Sequence, residues 1–303
     1  MRALDSHLHL WSPDVLEYTW LEGPLAYEFE TLELQHARID GVSVEEAVFV
    51  QAECVEEQFL DEVARVSGLA REAGVVGIVA GIRLDRGDET LRALDALAGY
   101  DLVVGVRHLL QGEPDGLAAS PAFIAGARAL ASRGLAFDAC VRARQLSDVA
   151  ALAAAVPDLR VVLDHVGKPE VGRAAAPEAP AAEWVSDLRA VARHPLVSCK
   201  LSGLPAEAGG DWTAAQLEPF LDEALAAFGP ERLMWGSDWP VSVVGPAEDG
   251  DPYAPADGSD AYQPTARTRW FRTVADWGVR RGLDPDALFW TNARRFYRIP
   301  GGR

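Results

Sequence analysis

The sequence predicts a single α/β domain folded as a (β/α)8 TIM barrel, and three observations carry that prediction. Short β-branched runs alternate with Ala/Leu/Glu/Arg segments of helical period. About eight such runs occur, and no GxGxxG follows the first of them, which removes the usual signature of the competing open α/β sheet. The 303 residues also exceed the about 250 that a barrel of this kind takes.

In chain order the strands are expected at 4–10, 44–52, 75–84, 103–110, 135–141, 160–166, 197–204 and 233–239. The segment 55–73 reads as a helix, because Phe59, Val63, Val66 and Ala70 recur at helical spacing on one face. Further helices are expected at 88–97, 121–133, 147–156, 183–193, 213–228 and 265–277. Two stretches read as loops: 170–182, rich in Pro and Ala, and 244–264, rich in Gly, Pro and Asp. The second follows the eighth strand, so in a barrel it lies at the mouth, as a lid or as an insertion. Neither a short repeat nor a break in composition divides the chain, and one domain over 1–303 is expected.

Composition narrows the partners. With 49% hydrophobic and 24% charged residues the chain can bury a sizeable core. A net charge of −18 excludes the basic footprint of a nucleic-acid binder or an anionic-membrane binder, and leaves an anionic ligand only where a local basic pocket exists. Of 28 basic residues only Lys168 and Lys200 are lysine. An ammonium and a guanidinium are not interchangeable in a tight site, so these two positions are singled out. Cys54, Cys140 and Cys199 are odd in number, far apart and outside any CxxC, which implies neither a disulfide framework nor a cysteine-rich zinc site. The N-terminus lacks an apolar signal region, and the alanine-rich stretch 149–156 is too short to span a bilayer. A cytoplasmic protein, free to form a homo-oligomer, is the expectation.

Polar residues gather at the predicted strand ends, where barrel enzymes place their chemistry. The first strand reads Asp5-Ser6-His7-Leu8-His9-Leu10-Trp11. Strand side chains alternate, so His7 and His9 point to the same side, and a pair of imidazoles there suits a metal or an oxyanion better than packing. Strand four ends Gly105-Val106-Arg107-His108, and strand five carries Asp138. Strand six ends Asp164-His165-Val166-Gly167-Lys168-Pro169, strand seven carries Lys200-Leu201-Ser202-Gly203, and strand eight ends Gly236-Ser237-Asp238-Trp239-Pro240. Any one of the aspartates could cap a helix or anchor a loop; the set argues for a site.

With Asn292-Ala293-Arg294-Arg295-Phe296-Tyr297 near the C-terminus, these strings resemble the lactonase branch of the amidohydrolase superfamily, the group of L-fuconolactonases, L-rhamnonolactonases and 2-pyrone-4,6-dicarboxylate lactonases. The resemblance runs from residue 5 to residue 298. It implies that Asp238 is the general base, that His7, His9 and His165 surround a lactone carbonyl or a metal, and that Arg107, His108 and Lys200 hold substrate hydroxyl or carboxylate groups. Trp11 and Trp239 would supply apolar walls. The Asn292 string is expected to pack as a helix, and Lys168 to anchor a loop.

The chain departs from the wider superfamily on strand four, where Arg107 and His108 replace the lysine whose carbamate bridges two metals, so a binuclear site is not expected. Two states stay open at this point: one divalent ion, zinc being favoured by imidazole ligands, held by His7, His9 and Asp238 with a position left for water, or no metal, since a lactone is an activated ester. The expected activity is ring opening of a small sugar-acid or related carboxylated lactone by base-assisted attack of water. Two other readings remain: a metal-dependent decarboxylase of an aromatic or enol acid, and a non-catalytic sugar-acid-binding barrel.

Overall fold

A computed structural model describes residues 1–242 and 265–300; the expected mouth segment 244–264 lies outside the described residues. The strands are β1 (Arg2–Leu8), β2 (Val44–Val50), β3 (Val75–Gly81), β4 (Val103–Arg107), β5 (Ala136–Ala139), β6 (Val161–Leu163), β7 (Gly172–Arg173), β8 (Ala176–Pro177), β9 (Val197–Leu201) and β10 (Leu233–Trp235). The helices are α1 (Thr31–His36), α2 (Phe59–Ala73), α3 (Asp88–Leu97), α4 (Pro121–Ser132), α5 (Leu146–Ala155), α6 (Ala182–Ala192), α7 (Leu204–Glu207), α8 (Ala214–Phe228), α9 (Ala266–Arg280) and α10 (Asn292–Tyr297).

Eight parallel strands form one sheet in the order β1-β2-β3-β4-β5-β6-β9-β10. The seam between first and last strands is closed by two backbone hydrogen bonds just past β10: Asp238 N–H donates to His7 O and His9 N–H to Trp239 O, each 2.8 Å. The expected (β/α)8 barrel is what the chain forms.

Local chemistry accounts for the helices. In α2, Val63, Val66 and Ala70 face the core, Asp61 and Glu62 stand in the first turn, and Gly74 ends the helix in the left-handed conformation at φ 69°. Ser120 caps α4 by accepting from Phe123 N–H, with Pro121 at the first position. Thr213 and Gln216 form a reciprocal capping box on α8.

The core has two parts. The larger lies between strands and helices. The smaller fills the barrel, where Leu4, Val48, Val79, Val162 and Met234 meet Trp290 and Phe296 from the C-terminal segment. The Asn292 string therefore packs as expected, against the base of the barrel. Its Asn292 amide also donates to Pro230 O and Leu233 O, both at 2.8 Å.

Every expected strand ends two to four residues before its apolar run does, and at two of them the early end shapes the site. β6 stops at Leu163, and Asp164–Gly167 forms a tight turn with His165 and Val166 both at φ 54°. β10 stops at Trp235, and Asp238 stands at φ 56° beyond it. Within the stretch 170–182, expected to be a loop, β7 and β8 pair as a small antiparallel hairpin that turns at Ala174 and Ala175, with Gly172 of β7 at φ 68°.

Candidate functional site

Four side chains converge where the strands end. His7 sits on β1 and His9 one residue past it, both buried. Their Nε2 atoms are 3.2 Å apart. Asp238 Oδ1 lies 3.5 Å from His7 Nε2 and 3.4 Å from His9 Nε2, and His165 Nε2 lies 3.7 Å from the same oxygen.

The supports of these groups fix their chemistry. His9 Nδ1 stands 2.8 Å from Val50 O; a carbonyl only accepts, so Nδ1 donates to it and the ring is oriented with Nε2 toward the site. His165 Nδ1 is 3.0 Å from Ser202 Oγ. The Ser242 hydroxyl donates to Asp238 Oδ2 at 2.5 Å. Asp5 ties the seam together: its Oδ1 accepts from Ser237 N–H at 2.8 Å and His7 N–H at 3.2 Å, while its Oδ2 pairs with buried Arg267 at 2.9 Å.

Burial, reinforced by the Lys200 cation, drives the His7 pKa well below the usual imidazole value, and burial lowers His165 to about 4. Both rings are neutral at pH 7. Burial opposes the charge on Asp238, but His165, the hydrogen bond of His9 and the His7 ring outweigh it and hold the carboxyl far below the ordinary range.

The donor set fits one divalent metal. A tetrahedral ion with bonds of 2.0–2.1 Å separates its ligand atoms by about 3.3 Å. His7 Nε2, His9 Nε2 and Asp238 Oδ1 stand apart by 3.2, 3.4 and 3.5 Å. Two imidazoles and one carboxylate are a borderline donor set suited to zinc. His7, Asp164 and His165 form a second candidate triad, but an ammonium already stands within it: Lys200 Nζ is 3.0 Å from His7 Nδ1 and 3.0 Å from Asp164 Oδ1. The site is mononuclear.

Beside the convergence point opens a cavity of about 210 Å³. That is smaller than the roughly 300 Å³ at which drug-sized pockets begin, so it suits a small ring. His9, His165, Asp238 and Arg107 all reach its wall. Arg107 donates to Gln51 O and stands 3.7 Å from Asp164 Oδ2.

The remaining expected residues stand off that wall. Lys200 is fully buried beneath it, where its ammonium donates to Asp138 Oδ2 at 2.5 Å and Tyr297 donates to the same oxygen at 2.7 Å. Burial opposes this cation, yet Asp138 and Asp164 more than offset that and raise its pKa above the ordinary lysine value. His108 stacks on Phe123 with ring centres 5.4 Å apart, and its Nε2 is 2.7 Å from Arg83. Trp11 donates its indole N–H to Tyr27 O at 2.9 Å and packs edge-on to Trp20, while Trp239 packs against Phe29.

Other residues complete the wall: Trp20, Glu53, Gln111, Cys140, Lys168 and Glu207. Lysine scarcity had marked Lys168, but nothing in the local sequence marks the others. Trp20 comes from a connecting segment and Glu207 from the end of α7, neither with a strand-end signature.

Comparisons with known proteins agree with this geometry. The amidohydrolase family profile matches residues 4–299. An L-fucono-1,5-lactonase of Burkholderia multivorans is 36% identical over 81% of this chain and 84% of its own. A second, from Burkholderia ambifaria, is 31% identical over 98% of this chain and 95% of its own. An amidohydrolase of Burkholderia multivorans, crystallised with bound zinc, superposes with a TM-score of 0.78 at 30% identity, covering 99% of this chain and all of its own. No helix among the described residues is long and apolar enough to cross a membrane.

Proposed function

The chain belongs to the amidohydrolase family, and on that premise we propose that it hydrolyses the ring ester of a small sugar-type lactone. The observation that carries this reading is the meeting of His7 Nε2, His9 Nε2 and Asp238 Oδ1 within 3.2–3.5 Å of one another at an open cavity. The similarity to two fucono-lactonases at 36% and 31% identity supports a sugar-acid lactone as substrate.

In this mechanism Asp238 accepts the proton of the attacking water. Its carboxylate is fully ionised at neutral pH, and the Ser242 hydroxyl holds Oδ2 so that Oδ1 faces the imidazoles. His165 stands neutral beside it, with Ser202 fixing its Nδ1, and presents Nε2 to the reacting carbonyl. Arg107, anchored to Gln51 O, orients the ring from the wall. When bound by His7, His9 and Asp238, a zinc ion would supply Lewis-acid polarisation and acidify water.

Ring opening releases a proton, so a panel of aldonolactones screened in weak buffer with a pH indicator tests the reading. Acid release on at least one five- or six-membered lactone, well above the buffer rate, is expected. No turnover across the panel, with carbon dioxide evolved from a hydroxybenzoate instead, would replace this reading with a decarboxylase.

A further inference from the structure

Left-handed backbone is concentrated at this cavity. Among the described residues six non-glycine residues have positive φ, and four of them, Glu53, His165, Lys168 and Asp238, line the wall. Such conformations are strained for residues with a side chain and persist where the surroundings hold them. For His165 and Asp238 the reason is plain, since the turn carries them to the centre of the site. Glu53 has no such role in the chemistry above.

Glu53 is held by a bracket built from one buried residue. Gln51, 1% exposed, accepts Glu53 N–H on its Oε1 at 2.6 Å and donates from Nε2 to Glu53 Oε2 at 2.7 Å. The backbone of Gln51 is itself fixed, because its carbonyl accepts from Arg107. Together these contacts hold the Glu53 side chain on the wall at φ 60°.

Its charge differs from the other acids of the wall. Asp238 Oδ1 is ringed by three imidazole nitrogens within 3.7 Å, which engage it as hydrogen-bonding and ligand-sharing neighbours rather than as cations. Glu207 has Lys168 at 3.6 Å and Arg142 at 3.4 Å. Among the described residues Glu53 has no cation within 4.0 Å, only the neutral Gln51 amide. The wall cations, meanwhile, are engaged: Lys168 donates to Gln111 at 2.6 Å and faces Glu207, and Arg107 faces Asp164. A ligand therefore meets, on this side of the cavity, a carboxylate with no ion-pair partner within 4.0 Å, on which Arg83 and Arg107 act only at longer range, while the wall cations already face other carboxylates.

We propose that Glu53 is a specificity-determining residue: its carboxylate accepts hydroxyl hydrogens from a neutral polyhydroxy lactone and repels lactones that bear a carboxylate. The sequence-based expectation allowed either class of lactone, and this inference, which rests on the lactonase reading, narrows it to the neutral one. A free carboxylate is acceptor-only, so it rewards hydroxyl donors and penalises anions, which is how like charges exclude a wrong partner.

The test uses a matched pair of non-hydrolysable lactams, one with a hydroxymethyl arm and one with that arm oxidised to a carboxylate. Calorimetric titration of the parent should give binding of the neutral lactam tighter by at least about tenfold. Glu53→Gln keeps the shape and the acceptor for Gln51 but removes the charge, and should narrow that ratio by at least about fivefold, chiefly by tightening the anionic lactam. An unchanged ratio in Glu53→Gln, tighter binding of the anionic lactam by the parent, or binding of neither would overturn the assignment. If the neutral preference and its loss in Glu53→Gln hold while no lactone is turned over, the hydrolase reading fails and the specificity assignment stands.

Discussion

At the residue scale, the proposed mechanism depends on Asp238 having an ionised oxygen that is aimed rather than merely present. Asp238→Asn preserves shape and the acceptor for Ser242 but removes the proton acceptor, so kcat should fall by roughly 10²–10⁴-fold with the fold intact. Steady-state kinetics beside a thermal melt read this; near-parental kcat would assign the base elsewhere. His7, His9, His165, Arg107 and Asp238 were legible in the sequence because each ends a β-branched run, where a polar residue has no packing reason to be. Lys200 was legible as unusual but not in its surroundings. Its neighbours Asp138, Asp164 and Tyr297 lie 62, 36 and 97 residues away in sequence, and only barrel closure brings them together around the ammonium. Glu53 left no trace, because its position follows from a left-handed backbone and a neighbouring glutamine, and neither shows in hydrophobic period.

At the element scale, the turns after the strands carry more of the function than the strands do. The apolar runs marked β6 and β10 correctly, but ran past their true ends, because β-branched and aromatic residues such as Val166 and Trp239 stay buried after the ladder stops. The turn after β9 shows how tightly these segments fit. Gly203 stands at φ 71°, and a Cβ there would lie 2.4 Å from the His165 ring. Gly203→Ala must therefore both strain the backbone, by about 1–2 kcal/mol, and push the imidazole away from Asp238. The expected result is a fall in kcat of about 10–100-fold, the range seen when a supporting contact of a metal site is lost, with a melting temperature only modestly lowered. A variant that loses stability but keeps the parent kcat would mean that His165 tolerates displacement and does not touch the reacting carbonyl.

At the scale of the whole molecule, the balance of buried charge decides how the barrel responds to pH. Ionised groups in the interior are mostly matched: Lys200 by Asp138 and Asp164, Arg267 by Asp5 and Glu45. Among the described residues Glu62 on α2 is a buried acid with no ion-pair partner within 4.0 Å. It is 1% exposed, its Oε1 accepts Ala52 N–H at 3.0 Å, and its Oε2 has no hydrogen-bond partner. Burial raises its pKa to about 8, against the smaller opposing pull of the Ala52 N–H and the Arg107 charge. In the unfolded chain the same group titrates near 4.3. Between those values the folded state holds a proton that the unfolded state has released, so stability is full below about pH 4.3 and declines as pH rises toward 8. One proton of difference corresponds to about 1.4 kcal/mol per pH unit. Glu62→Gln keeps the acceptor for Ala52 and cannot ionise. Its unfolding free energy in urea should therefore exceed that of the parent by a margin that widens from pH 5 to pH 8, approaching this slope. Parallel pH profiles for the two proteins would mean that Glu62 is ionised in the fold and that Arg107 compensates it. Arg107 would then be shared between α2 and the cavity wall, and its hold on the ring of the substrate would weaken accordingly.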